Sequence, residues 1–355
     1  MADPGKIRII VVDDSVVYRN MIHKVLSEDP DIEIVSQASN GKLAIPRIKH
    51  YRPDFVLLDQ EMPEMTGLEL LEYMRNEFPE VGVLMFSSKT VEGAKVTLKA
   101  LELGALDFVT KPQFTEDGNI KEYIRETVVE KLKGLKGFRR PAKKVTGAKI
   151  DLPSATKAVR AVTGSCEVCA IGISTGGPQA LRELIPLINK NVNGSVFIVQ
   201  HMPAIFTAQL ADSLNVISGL KVVEASNGMR VEKGVVYIAP GGKHMIVERK
   251  SDAVYTRLLE DPPELSCKPS VNYLFRSVAE AYGARAGAVV MTGMGSDGAA
   301  GMKVLSEKGA YCFCQDEKSS LIFGMPAIPV KEGTAMEVLD IQGIAKRIEY
   351  LLGVS

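Results

Sequence analysis

The sequence predicts an α/β protein of two units, each built on a mostly parallel, doubly wound sheet with helices on both faces. Apolar runs of strand length alternate with amphipathic stretches of helix length through both halves. At 355 residues the chain exceeds what one ordinary core requires. Between the halves, the basic residues from Lys131 to Arg160 are opposed only by Asp151, in a Gly, Pro, Ser and Thr setting with little periodicity, which reads as a linker.

A formal net charge of zero argues against a nucleic-acid coat or a polybasic membrane protein. There is no apolar run of membrane-span length, and Met1-Ala-Asp-Pro4 leads almost directly into a short strand, so no signal peptide or membrane insertion is expected. A cytoplasmic protein is the expectation. Five cysteines, an odd number, do not suggest a disulfide framework. Cys166 and Cys169 have C-x-x-C spacing, but Cys169 already lies in a predicted strand. Cys312 and Cys314 alternate with Tyr311 and Phe313 as strand residues do. Buried or partly buried thiols are expected rather than metal or redox work.

In the amino-terminal half, strands are read at Ile7–Val12, Ile32–Val35, Phe55–Leu58, Val81–Phe86 and near Phe108–Val109. Helices fill the gaps at about Ser15–Ser27, Gly41–Lys49, Leu68–Asn76, Val91–Leu103 and Ile120–Leu132, with Pro46 expected to kink the second. Asp13 and Asp14 follow the first strand and Asp59 ends the third, so the three carboxylates converge at the carboxyl edge of the sheet, where open α/β folds bind ligands. Such a cluster is self-repelling unless a hard cation such as Mg²⁺ sits within it. Ser87 and Lys111 reach the same edge. Taken singly, the acids could equally be helix caps.

Val12-Asp13-Asp14, Leu58-Asp59 with Met62-Pro63 and Gly67, Ser87-Ser88, and Asp107-Phe-Val-Thr-Lys-Pro112 together resemble the receiver domain of two-component response regulators, over residues 5–133. The resemblance implies a flavodoxin-like fold. It makes Asp59 the acceptor of a phosphoryl group from a histidine kinase. Mg²⁺ would be held by Asp14, Asp59 and the Glu61 carbonyl, with Asp13 helping through water. Ser87 and Lys111 would read the phosphate and Phe108 would reposition. Thr66 departs from the family, which usually has Asp before the glycine.

After the linker, 134–164, Val168–Ile173 reads as a buried strand, followed by a tight turn holding Ser174 and a helix opened by Pro178. Ser195–Val199 is the next strand, ending in Gln200-His201-Met-Pro203 and a helix to about Asn215. Short strands at Lys221–Ala225, Val235–Ala239, His244–Glu248 and Ala253–Leu258 suggest an antiparallel excursion at one edge. A helix from about Ser270 to Tyr282 precedes the strand Gly287–Met291 and the turn Thr292-Gly-Met-Gly-Ser-Asp297-Gly298.

Ser174, His201 and Asp297 thus each follow the carboxyl end of an apolar strand, and suitable strand order brings them together. They are the residue types of nucleophilic hydrolysis: a hydroxyl needs a base to remove its proton, and the imidazole needs a carboxylate to fix its tautomer. Each has another reading at this stage. G-x-S-x-G is loose and a glycine turn can cradle phosphate, His244 rivals His201 as base, and Asp297 could cap the helix after it. Backbone N–H groups in Gly293-Met294-Gly295 could face an oxyanion. A DNA-binding output would need a helix-turn-helix module, and none is visible.

Gly172-Ile-Ser-Thr-Gly-Gly177, Gln200-His-Met-Pro203 with Phe206-Thr207, Ala239-Pro-Gly-Gly-Lys-His244, Lys268-Pro-Ser-Val271, Thr292-Gly-Met-Gly295 with Asp297-Gly298, and Phe323-Gly-Met-Pro326 resemble the catalytic domain of chemotaxis protein-glutamate methylesterases, over residues 165–352. The resemblance implies Ser174 as nucleophile, His201 as base, Asp297 as its orienter and the Met294 N–H in the oxyanion hole. It also implies demethylation of glutamyl γ-methyl esters on chemoreceptor helices, with glutamine deamidation as a second activity, no cofactor for the ester chemistry, and restraint by the receiver until Asp59 is phosphorylated. Ser266-Cys267-Lys268 stands where some relatives carry more basic or histidine residues.

Overall fold

The computed structural model describes residues 5–112, 120–136 and 166–354. The predicted linker falls almost wholly outside them. The chain divides into two units, Met1–Arg140 and Pro141–Ser355.

The first unit alternates β1 (Ile7–Val12), α1 (Val16–Leu26), β2 (Ile32–Ala38), α2 (Gly41–Tyr51), β3 (Phe55–Asp59), α3 (Gly67–Glu77), β4 (Gly82–Ser87), α4 (Val91–Leu103) and β5 (Asp107–Thr110). It closes with α5 (Ile120–Ile124), a π-helical turn over Arg125–Val129, and α6 (Glu130–Gly134), where one uninterrupted helix was expected. The sheet order is β2-β1-β3-β4-β5, every pairing parallel. Helices cover both faces, so β1, β3 and β4 are apolar on both sides rather than alternating. Helix α2 continues through Pro46 to Tyr51. Thr66, the departure from the family, caps α3 in a reciprocal box: its hydroxyl accepts from Glu69 N, and the Glu69 carboxylate accepts from Thr66 N at 2.8 Å.

The second unit comprises β6 (Val168–Ile173), α7 (Gly177–Leu184), β7 (Ser195–Gln200), α8 (Ala204–Ile217), β8 (Lys221–Glu224), β9 (Val235–Ile238), β10 (His244–Arg249), β11 (Val254–Leu259), α9 (Val271–Tyr282), β12 (Ala286–Val290), α10 (Ala299–Glu307), β13 (Tyr311–Gln315), α11 (Ala327–Lys331), β14 (Glu337–Leu339) and α12 (Ile341–Leu352). Seven strands form one parallel sheet in the order β14-β13-β12-β6-β7-β9-β8. The four short strands expected to make an antiparallel excursion divide: β8 and β9 extend the main sheet in parallel, while β10 and β11 pair antiparallel as a small separate sheet. Helix α8 supplies the crossover that returns the chain to the sheet in parallel.

Strand β6 is central, and the chain leaves it toward β7 on one side and is joined by β12 on the other, which makes its carboxyl end the topological switch point. Close packing there depends on Gly172, whose absent Cβ would overlap the Val271 side chain at the start of α9. The core under this edge is contributed by Ala170, Val199, Val271, Phe275, Val290 and Met302, all buried.

Candidate functional site

In the first unit the carboxyl edge gathers the predicted cluster. Asp13 and Asp59 are buried and Asp14 is exposed, and one carboxylate oxygen from each lies within 4.8 Å of the others. Lys111 Nζ reaches Asp59 at 2.7 Å and Asp13 at 2.9 Å. Burial, then repulsion from Asp13, pushes the Asp59 carboxyl up to about 6 against the pull of Lys111. That is the electrostatic signature of a site short of positive charge, and an oxygen-only donor set of this kind fits a hard divalent cation. Neither Asp caps α1: Ser15 does, while its own N–H donates to Asp13 Oδ1 at 2.8 Å. Ser87 is buried at the end of β4 and Phe108 within β5, and Glu61 lines a groove with Asp14 and Met62.

In the second unit parallel register does the positioning. Ile173 pairs with Gln200, so Ser174 and His201 leave adjacent strands side by side, and His201 N–H donates to Ile173 O at 3.1 Å. Ser174 N–H donates to Thr292 O at 2.9 Å, tying the serine to the turn after β12. The same turn passes so near that a Cβ on Gly293 would stand 2.7 Å from Ser174 Cβ. The Met294 N–H has no hydrogen-bond partner among the described residues and borders this turn.

His201 Nε2–H donates to Asp297 Oδ2 at 2.8 Å. Asp297 is buried and accepts three further bonds: from Val271 N at 2.6 Å, Asn272 N at 3.0 Å and Ser270 Oγ at 2.9 Å. Burial opposes its ionisation, but the His201 contact and the two N–H groups outweigh that and hold the carboxyl below its usual range. Asp297 does cap a helix, though not the one that follows it. It sits on the first turn of α9, where the positive end of the helix dipole favours its charge. The other nitrogen of His201, Nδ1, faces Cys267 Sγ at 3.6 Å, and Ser174 Oγ has no hydrogen-bond partner among the described residues. The rival base, His244, is fully buried, stacks on Tyr273, accepts from Ser270 N at Nδ1 (3.1 Å) and donates from Nε2 to Pro262 O (3.0 Å). Both of its nitrogens are committed to the backbone.

The CheB methylesterase family profile matches residues 169–348, and the response regulator receiver domain profile matches residues 9–125. A protein-glutamate methylesterase/protein-glutamine glutaminase of Desulfotalea psychrophila is 41% identical over 97% of this chain and 98% of its own length. The chain belongs to the CheB methylesterase family. Its members of the same description include one from Bacillus licheniformis, 41% identical over 96% of this chain and 97% of that one. Among solved structures, the catalytic domain of the Thermotoga maritima CheB methylesterase superposes with a TM-score of 0.51 at 36% identity, covering 52% of this chain and 97% of that one.

Within this CheB family member, three side chains shape the sites without having been singled out from the sequence. Gln200, the last residue of β7, donates from Nε2 to both Ser174 O (3.0 Å) and His201 O (3.2 Å), bracing the two strand ends. Gln60, next to Asp59, is buried and donates to Ser87 Oγ at 2.9 Å, so the Ser87 hydroxyl is already engaged. Asn272 accepts at Oδ1 from Gly298 N and Gly301 N (3.1 and 2.7 Å), locking the Asp297 turn to α9. Only Gln200 carried a sequence signal, its place in Gln-His-Met-Pro. Of the five cysteines, Cys166, Cys169, Cys312 and Cys314 are buried and Cys267 is partly buried, as expected.

Among the described residues, no helix is long and apolar enough to cross a membrane.

Proposed function

We propose that the chain hydrolyses glutamyl γ-methyl esters, and deamidates glutamines, on chemotaxis receptors through Ser174, His201 and Asp297, and that phosphorylation of Asp59 raises this activity. The observation carrying the reading is the buried Asp297 carboxylate at 2.8 Å from His201 Nε2, on the strand end adjacent to Ser174. That bond fixes the tautomer whose free nitrogen, Nδ1, is the base. Ser174 Oγ attacks the γ-carbonyl carbon while Nδ1 takes its proton, and the proton passes to the departing methoxide as methanol. Water then attacks the acyl-serine with the same assistance, leaving a glutamate carboxylate. A glutamine amide presents the same acyl carbon and releases ammonia. The Met294 N–H would donate to the carbonyl oxygen as charge develops there, an interaction worth about 10²–10³ in rate. Catalytic hydrogen bonds left long in a resting enzyme tighten in the substrate complex, which is the state in which Ser174 meets Nδ1.

In the receiver, Asp13, Asp14, Asp59 and the Glu61 carbonyl would hold Mg²⁺, which supplies charge neutralisation for phosphoryl transfer from a histidine kinase. Lys111 orients the Asp59 carboxylate, and Ser87 and Phe108 respond to the phosphate. On this reading the chain is organised as a receiver domain, 5–133, a basic linker, 134–164, and a hydrolase domain, 165–352.

The test is methanol release from methylated receptor membranes with and without a small phosphodonor. In Asp59→Ala the two rates should coincide, whereas a normal response to the donor would remove Asp59 as the switch.

The pH profile follows from His201. Burial disfavours its imidazolium, but the hydrogen bond to Asp297 and the neighbouring Cys267 sulfur outweigh this and lift the group to about 9. The base form is therefore the minor one at neutral pH. Initial rates at subsaturating substrate should climb with pH, by up to about tenfold per unit well below that value, and level off above it. A profile that is flat from roughly pH 6 upward would contradict the assignment of His201.

A further inference from the structure

We infer that Cys267 and His201 form a binding site for a soft divalent metal ion of the Zn²⁺ class, whose occupation blocks the base nitrogen. Cys267 Sγ and His201 Nδ1 are 3.6 Å apart. A tetrahedral zinc with ordinary Zn–S and Zn–N bonds spans an S···N edge of about 3.5–3.6 Å, so the two donors already stand at ligand spacing. The far side of the imidazole is equally prepared. Nε2–H donates to Asp297, the carboxylate–histidine relay that fixes ring orientation and raises ligand basicity at metal centres. His201, Cys267 and Asp297 each offer a ligand atom within 4.8 Å of the others. Asp297 already accepts four hydrogen bonds, and so it acts behind His201 rather than on the ion.

The thiol is held in place by its loop. Leu265 and Ser266 both adopt left-handed backbone (φ 51° and 61°), a conformation that ordinary side chains disfavour, between the reciprocal bonds Cys267 N to Glu264 O (2.9 Å) and Glu264 N to Cys267 O (3.2 Å). Glu264 is in turn anchored to Arg276 and Asn272 of α9, the helix that Asp297 caps. The backbone strain is therefore spent where it delivers sulfur to the catalytic imidazole. At neutral pH binding displaces both the thiol proton and the proton on Nδ1, giving a metal–thiolate and a metal–imidazole bond with two protons released, and solvent or Ser174 Oγ completes the coordination.

Chelation stands on this geometry alone, while its inhibitory effect rests on the reading of His201 as the base. The experiment uses the full chain in excess Mg²⁺, which occupies the all-oxygen cluster of the receiver, and titrates Co²⁺ and then Zn²⁺. Wild type should take up one Co²⁺ with a sulfur-to-cobalt absorption band, displaced by Zn²⁺. The other four cysteines are buried and should not contribute. In Cys267→Ala the band should vanish, and the Zn²⁺ concentration that halves methanol release, relative to that variant's own metal-free rate, should rise by at least about 10–100-fold. Absence of the band in wild type, or unchanged Zn²⁺ sensitivity in the variant, overturns the site. Should Ser174→Ala retain full methanol release, the hydrolase reading falls, yet the cobalt spectrum still decides the metal site.

Discussion

Ser174→Ala is expected to lower methanol release by about 10⁶-fold while leaving the fold intact. The turn after β12 passes close to the Ser174 Cβ, and Ala keeps that Cβ. Ser174 Oγ has no hydrogen-bond partner among the described residues, so its removal strands no buried donor. Thermal unfolding should therefore move by no more than a surface substitution does, within about 0.5 kcal/mol. Cys267 faces the same imidazole and supplies the discriminating control. Residual release that a thiol-alkylating reagent abolishes would assign the attack to sulfur, and full release would remove the serine from the chemistry.

Asp297→Asn should behave differently, losing both rate and stability. Asparagine has the shape of the carboxylate, but one oxygen becomes a donor and must face groups that are themselves donors: His201 Nε2, Val271 N, Asn272 N and Ser270 Oγ. The imidazole is driven toward the wrong tautomer, a change that costs about 10⁴ in turnover where the same relay operates in serine proteases. A buried N–H left unpaired adds about 1–3 kcal/mol of destabilisation. Turnover measured beside a denaturant midpoint checks both at once. A variant that lost turnover at unchanged midpoint would mean the α9 cap is satisfied some other way.

How much of this was legible in the chain depends on the range of each interaction. Apolar runs ended by glycine or a polar residue located β1, β3, β6 and β7 closely, because strands buried on both faces leave an unmistakable composition. Their carboxyl ends then delivered Asp13, Asp59, Ser174 and His201 to two edges. The partners of β8 and β9 were not legible, since a strand of four residues says nothing about the direction of its neighbour. The π-helical turn between α5 and α6 likewise leaves no mark in an amphipathic run. Contacts across long sequence separations were hidden most deeply. Cys267 reaches His201 over 66 positions and Asn272 reaches Gly298 over 26, and neither residue type announces such a partner.

The placement of Asp297 on the first turn of α9 has an evolutionary consequence. The Asp297 side chain is a structural rivet between two segments, whereas the Ser174 side chain makes no hydrogen bond among the described residues. Descent toward an inactive, purely scaffolding relative is thus open at position 174 and obstructed at position 297, so decay of the enzyme should begin at Ser174 and spare Asp297.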